Sequence, residues 1–286
     1  MSGSARLRAS TQGAPPVLMP GVWDPLSALL AQQAGFETVF LSGFALAGTL
    51  LGEPDIGIIG QAEMADAARR VCAAVPAMNV VVDADTGYGS TSSVARTVEL
   101  WEQAGAAGMF LEDQEWPKKC GHMDGKRVVD REEWLTKLRT ALRTRTDLHV
   151  TARTDARAVV SLEEAITRGK MARDLGVDAV FVEAPGSVAE MEAIAAALPD
   201  TLLVANMVEK GKTPLLTPAE LGELGFGLIV SPLSGLLSAT RALGDAYAAL
   251  RRDGTMREHL DGLTAFDDFT ALVGLQKHLA NESLDR

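Results

Sequence analysis

Two clusters some 30 residues apart hold most of the chemistry this chain can offer. One reads Val81-Val82-Asp83-Ala84-Asp85-Thr86-Gly87-Tyr88-Gly89. The other reads Leu111-Glu112-Asp113-Gln114-Glu115-Trp116-Pro117-Lys118-Lys119-Cys120-Gly121-His122. Each follows an apolar run of strand type, so each should lie where a strand gives way to a loop. Asp83 and Asp85 stand two apart, and on a regular strand they would share a face. Two carboxylates so placed repel unless a proton or cation separates them. Glu112, ending the next run, completes an oxygen-rich set that suits a hard divalent ion. With no histidine and few aromatics at the strand ends, Mg²⁺ fits better than zinc, with Mn²⁺ as a substitute. The competing reading, Asp85 as a cap for a helix starting near Ser90, is weakened because Thr86-Gly87-Tyr88-Gly89 already supplies the turn. Asp55, in Gly52-Glu53-Pro54-Asp55-Ile56-Gly57, is a loop carboxylate that would reach the ion through water.

Cys120 sits in a basic, glycine-containing loop that runs on through Met123-Asp124-Gly125-Lys126-Arg127. A lone cysteine is most often a small buried filler, and Cys72, on a helical stretch, is read that way. The Cys120 loop is too polar for that. Its lysines and His122 are expected to favour thiolate and so to give a group that moves protons near neutral pH. The glycines let the segment act as a lid. Arg153, Lys118 and Asn206 are candidate anion holders, since a guanidinium grips a carboxylate or phosphonate bidentately. Asp155 is placed to orient an arginine, whereas Arg157 is better explained by a structural salt bridge. Ser42-Gly43 offers a hydroxyl and backbone amides for a carboxylate.

What must position these residues is a repeated unit. Eight short apolar runs recur: 16–20, 38–42, 80–85, 108–112, 149–153, 179–183, 202–206 and 228–231. Several are almost continuously apolar, as parallel strands covered on both faces are. Helical patterns fill the gaps, for example Val94, Val98 and Trp101, and Ser161…Glu164 and Thr217…Glu220 look like capping boxes. Strand–helix alternation repeated eight times without a linker reads as a (β/α)8 barrel of the TIM type, with a doubly wound sheet as runner-up. Ser42, Asp83, Glu112, Arg153, Glu183, Asn206 and Ser231 each close a run. In such a barrel those ends share one rim, where active sites of this fold sit.

Composition sets the outer bounds. The net charge of −11 argues against nucleic acid and anionic membrane as partners. No apolar run is long enough to span a bilayer, which takes about 20 residues. Two cysteines are too few for a disulfide scaffold and fit a reducing cytoplasm. Residues 1–13 are small and polar and read as a flexible arm, 14–253 as the catalytic barrel, and 254–286 as a helical extension. Leu260, Leu263, Phe266, Phe269, Leu272, Val273 and Leu275 give the extension an apolar stripe. It could pack across the barrel's own bottom or against a second subunit.

In this order the motifs resemble the isocitrate lyase/phosphoenolpyruvate mutase superfamily. They run from Ser42-Gly43 and Pro54-Asp55 through Asp83–Gly89, Glu112-Asp113-Gln114 and Lys118–His122. They continue through Ala152–Ala156, Glu183-Ala184 and Asn206–Glu209 to Ser231-Pro232. The Lys-Lys-Cys-Gly-His loop resembles members that cleave carbon–carbon bonds, and the chain is most similar to the methylisocitrate lyase, dimethylmalate lyase and petal death protein branch. The resemblance implies a (β/α)8 barrel, bound Mg²⁺, a small anionic carboxylate substrate, and a homotetramer in which a late helix is exchanged between subunits. It implies metal contacts from Asp83, Asp85, Glu112 and, through water, Asp55. Cys120, Arg153, Lys118, His122 and Glu183 become the catalytic set, with Cys120 protonating a carbanion. Ser42, Gly43, Phe44, Gly121, Asn206, Thr213, Ser231 and Pro232 become the substrate contacts. The implied reaction splits a 2-hydroxy, or hydrated 2-keto, di- or tricarboxylate into a 2-keto acid or oxalate and a carboxylate. Phe44 replaces a small glycine of methylisocitrate lyases and tells against that substrate. The alternative is a carboxyvinyl-carboxyphosphonate phosphorylmutase, which is similar over Cys-Gly-His and over Asn206–Pro214.

Overall fold

The eight expected runs close on themselves. A computed structural model describes residues 1–13 and 15–284 of the chain. Its strands are β1 (Val17–Val22), β2 (Thr38–Leu41), β3 (Asn79–Asp83), β4 (Gly108–Glu112), β5 (His149–Thr154), β6 (Ala179–Val182), β7 (Leu203–Asn206) and β8 (Phe226–Ser231). All neighbours pair in parallel, and β1 returns to β8 with Val17 opposite Leu228 and Pro20 opposite Ser231. That last pairing excludes the doubly wound sheet, whose edge strands never meet. Strand limits differ from the apolar runs by a residue or two, because hydrogen bonding rather than hydropathy ends a strand.

Side-chain parity divides the strands into two cores. Val39, Leu41, Val80, Val82, Met109, Leu111, Val150 and Ile229 face the surrounding helices. Met19, Phe40, Val81, Phe110, Phe181, Val204, Leu228 and Val230 fill the lumen. A lumen residue and the residue two further along share a face. Phe40, Val81, Phe110 and Phe181 therefore direct Ser42, Asp83, Glu112 and Glu183 inward at the C-terminal rim.

Residues 1–13 are not a flexible arm. Gly3–Ser10 is a helix capped by Ser2. Its Leu7 is 0% exposed and closes the bottom of the lumen against Ala107 and Phe110 of the interior cluster. Arg8 locks it there, at 2.8 Å to Asp178 and 2.9 Å to Asp147. One leucine and two arginines in a polar segment carry too little periodicity to announce a helix; the open end of a barrel supplies the missing apolar partner.

The extension leaves the barrel as helix Ser234–Asp253 and continues through Phe266–Leu272 and Leu275–Leu284. Its stripe does not cover the barrel's own bottom, a place already taken by Leu7. Leu260 is 62% exposed and Phe266 79%. Residue 14 at the barrel's start and residues 285–286 of the extension lie outside the described residues. Among the described residues no helix is long and apolar enough to cross a membrane.

If the Leu7 plug closes the barrel, Leu7→Ala should cost about 2–5 kcal/mol, as buried leucine truncations do. Thermal unfolding checks this. An unchanged midpoint in both Leu7→Ala and Arg8→Ala proteins would mean that the helix does not dock.

Candidate active site

A cleft opens at the C-terminal rim. Its polar lining comes from Ser42, Asp55, Asp83, Cys120, His122, Arg153, Glu183 and Asn206. Its floor is Phe40, Phe110 and Phe181, and one side is Phe44, Val208, Val230, Pro232 and Leu233. The expectation of few aromatics near the strand ends is therefore wrong. The three floor phenylalanines sit one face-repeat below the polar ends, with Phe40–Phe110 at 4.9 Å and Phe110–Phe181 at 5.6 Å. Period-two alternation would have revealed them. Arg153 stacks over Phe181 at 5.5 Å, a favourable seat for a guanidinium.

Charge is the governing feature. Asp55, Asp83, Asp85, Glu112, Asp155 and Glu183 are all buried, and three permanent cations, Lys118, Lys126 and Arg153, stand among them. Each cation is shared. Lys118 Nζ lies 2.6 Å from Asp55 and 2.7 Å from Asp85. Arg153 meets Glu112 at 3.0 Å, Asp155 at 3.0 Å and Glu183 at 3.4 Å. The lysine is thus an internal counter-ion rather than the free anion holder expected of it, because its ammonium is drawn to the buried carboxylates. Arg157, as expected, forms a structural pair with Glu190 at 2.8 Å.

The surplus of negative charge shows in the proton affinities. Burial, reinforced by Asp83 and Asp55 against the pull of Lys118, pushes the Asp85 carboxyl up to about 7. Burial likewise raises Glu112 well above the usual range despite Arg153. Glu183 goes the other way: burial would raise it, but Arg153, His122 and Lys126 together hold it at about 2.

Asp85 does not extend β3 as spacing implies. Its φ of +44° takes it out of the strand, and it faces Lys118, away from the cleft lining. Asp83 alone of that pair faces the cleft. Buried Glu112 Oε1 has no hydrogen-bond partner, and Asp85 Oδ1 meets Lys118 at 2.7 Å. Oxygen donors of this kind, in negative surplus, fit a hard divalent cation. Among the described residues no three such groups converge closely enough to ligate one ion directly. The fit is therefore to an ion that keeps several waters, as Mg²⁺ does.

The loop from Glu115 to Asp130 covers the cleft. Gln114 brackets Lys119, its amide donating to Lys119 O at 2.8 Å and its oxygen accepting from Lys119 N at 3.0 Å. Cys120 N donates to Asp55 O at 3.1 Å. His122 Nδ1 accepts from Lys212 N at 3.0 Å, which leaves the ring proton on Nε2, 3.3 Å from Glu183 Oε1. Gly121 and Gly211 make this closure possible. A Cβ on Gly121 would fall 2.5 Å from Glu183 Cδ, and one on Gly211 would fall 2.7 Å from His122 Nδ1.

Cys120 itself departs from expectation. Its neighbouring lysines are bound to carboxylates or turned to solvent, so they do not create a thiolate. Burial pushes its thiol up to about 11, Asp55 and Glu183 adding to the rise against the His122 amide and Arg153. The group is a proton donor at neutral pH. Cys72 is the buried filler expected of it.

Of the expected substrate contacts, Ser42, Phe44, Gly121, Asn206 and Pro232 line the cleft; Gly43, Thr213 and Ser231 do not. Gly43 backs Asp83, its would-be Cβ 3.0 Å from Oδ2. Thr213 is buried with an unpartnered hydroxyl. Ser231 has the outward parity of Ile229 and bonds to Ser234. Asp155 orients Arg153 as expected, at 3.0 Å, whereas Lys126 and Asp113 were missed as site residues. Asp113 is 0% exposed, accepts from Thr154 at 2.6 Å and from Asp155 N at 2.8 Å, and so fixes Asp155. The Glu112-Asp113 and Arg153-Thr154-Asp155 adjacency was the available signal.

A family profile described as phosphoenolpyruvate phosphomutase matches residues 7–251. The chain is 47% identical to carboxyvinyl-carboxyphosphonate phosphorylmutase, chloroplastic, of Arabidopsis thaliana, over 91% of this chain and 78% of that one. It is 39% identical to 2,3-dimethylmalate lyase of Eubacterium barkeri, over 97% and 96% respectively. Oxaloacetate acetylhydrolase in complex with 3,3-difluorooxalacetate superposes with a TM-score of 0.93 at 36% identity, covering 99% of this chain and 96% of that one. Phosphonopyruvate hydrolase in complex with oxalate and Mg²⁺ superposes with a TM-score of 0.88 at 28% identity, covering 99% of each.

The Cys120 assignment has a direct check in metal-stripped protein. The ultraviolet thiolate absorbance lost on Cys120→Ser should titrate near the value of about 11. A transition below about 8.5, the ordinary thiol value, would restore the thiolate reading.

Proposed function

Because the chain belongs to the phosphoenolpyruvate phosphomutase/isocitrate lyase superfamily, we propose that it is a Mg²⁺-dependent carbon–carbon lyase acting on a small 2-hydroxy dicarboxylate with a short alkyl substituent. The observation that carries this reading is a cleft whose lining brings together Cys120, with its thiol pushed up by burial, Arg153 and an apolar wall. Arg153 is the one permanent cation among the residues lining the cleft, as described. It suits a dicarboxylate, whose second carboxylate can face the metal, better than a tricarboxylate. Phe44, Val208, Pro232 and Leu233 offer an alkyl group a dry wall and offer the hydroxyls of a hydrate nothing to bond. Hydrated oxaloacetate is therefore a weaker candidate than an alkyl malate.

Asp83, Asp85, Glu112 and Asp55 would hold the metal ion, in part through its waters. Its chemistry, when bound, is to polarise the substrate's carboxylate and 2-oxygen and to lower the hydroxyl's pKa. Arg153 orients the other carboxylate and offsets the charge that develops when the bond between the halves breaks. Electrons from that bond pass into the carboxylate-bearing half as an enolate-like carbanion. Cys120 Sγ delivers its proton to that carbon. The hydroxyl proton lost in forming the 2-keto acid passes to solvent, from which the Cys120 thiol is restored, so the protons balance. Glu183, ionised and bonded to Asn206 at 3.2 and 3.3 Å, keeps His122 and the lid in place. The floor phenylalanines exclude water that would quench the carbanion early.

The exposed stripe on the extension supports assembly as a homo-oligomer, a tetramer in this reading, and the two free cysteines suit the cytoplasm. A second reading, phosphorus–carbon bond formation, draws on the similarity to the Arabidopsis phosphorylmutase.

Proton and phosphorus NMR with alkyl malates, oxaloacetate, 2-methylisocitrate and phosphonopyruvate tests both readings. The lyase reading predicts a 2-keto acid and a carboxylate from an alkyl malate, appearing with Mg²⁺ and abolished by chelation. Silence on every carboxylate from folded, Mg²⁺-loaded protein would sink it, and turnover of phosphonopyruvate would favour phosphonate chemistry over the lyase reading. Cys120→Ser should lower kcat by about 10²–10⁴-fold, the usual range for a lost general acid.

A further inference from the structure

Lys126 has no role in the chemistry above, yet its side chain is 2% exposed. A buried ammonium is costly unless fully partnered. Here its partners belong to two different parts of the site. Nζ lies 2.7 Å from Asp155 Oδ1 and also donates to the Gly121 carbonyl. Gly121 joins Cys120 to His122 and packs directly on Glu183 and on Arg153, where a Cβ would fall 2.7 Å from Nη2. Asp155 holds Arg153 through Nε at 3.0 Å and Nη2 at 3.3 Å.

Neutralising Asp155 does not by itself require Lys126, because Arg153 already pairs with that carboxylate. The returning arm of the lid is otherwise solvent-facing: Asp124, Gly125 and Arg127 are exposed. The neighbouring Asp124–Lys212 pair, with Asp124 94% exposed, is screened and adds little. Lys126 is thus the buried side chain of the Asp124–Arg127 arm.

We infer that Lys126 is a positioning residue, a latch that couples closure of the Cys120 lid to the setting of Arg153 through Asp155. Its effect on turnover rests on the lyase reading; the latch itself does not. With Lys126 in place, the Gly121 carbonyl is tied to the carboxylate that aims Arg153. Without it that tie is lost, and the lid tip stays linked to the guanidinium through His122 and Glu183.

The test is the rate at which iodoacetamide alkylates Cys120 in the full-length protein, followed by peptide mass spectrometry with Cys72 as internal control. Lys126→Met should raise the Cys120 rate by about tenfold or more, as local opening of a lid does, with Cys72 unchanged. Lys126→Arg, which keeps the charge and its donors, should restore protection. An unchanged Cys120 rate, or an equal rise at Cys72, would overturn the inference. Should the methionine variant fail to fold, Lys126→Gln is scored by the same rates. In turnover of an alkyl malate, Lys126→Met should lower kcat with KM little changed, and arginine should rescue it. If wild-type protein cleaves no carboxylate, the lyase reading fails alone, and the alkylation rates still decide the latch.

Discussion

A surplus of buried negative charge at one end of the barrel constrains everything around it. Six carboxylates and three permanent cations crowd a water-poor rim. Burial of unpaired charge is too costly to leave uncorrected, so each cation is divided between partners, and Asp85 and Glu112 hold protons more tightly than ordinary carboxyls. Lys118 is drawn between Asp55 and Asp85, Arg153 among Glu112, Asp155 and Glu183, and Lys126 down from the lid. The positions of Cys120 and His122 follow from those attachments. The same burial that lifts Asp85 to about 7 keeps the thiol protonated, and neighbouring carboxylates add to both.

The barrel creates this crowding through parity. Phe40, Phe110 and Phe181 face the lumen, so Ser42, Glu112 and Glu183, two residues on, converge above them. The aromatic floor and the ionic rim are thus one feature of the strand period. Below the floor, Leu7 seals the lumen from the other side and lets its interior stay dry. Dryness makes the charges strong, and strong charges make the lid close.

Strand order and most of the residues that line the rim cleft were legible in the sequence. Apolar runs ending in a polar residue translate directly into strands that end at a rim. Side-chain direction was less legible where the chain leaves strand geometry. Asp85 was expected beside Asp83, but a left-handed backbone turns it onto Lys118. Ser231 was expected in the cleft, yet its parity follows Ile229 and points out of the lumen. The basic loop was misread for a related reason. Sequence counts charges near Cys120, whereas the fold decides which carboxylates claim them. The helix Gly3–Ser10 escaped because its apolar partner is supplied by strands distant in sequence.

The proposal that the acidic rim binds a divalent cation is most directly tested by calorimetric titration of Mg²⁺ into chelator-treated protein. At about pH 6.5, just below the value of about 7 held by Asp85, the titration would be run in buffers of different ionisation enthalpy. One ion per chain should bind with release of protons, because the ion displaces those the carboxyls retain. The apparent heat would then change with buffer. Absence of binding, or a heat independent of buffer, would contradict the account.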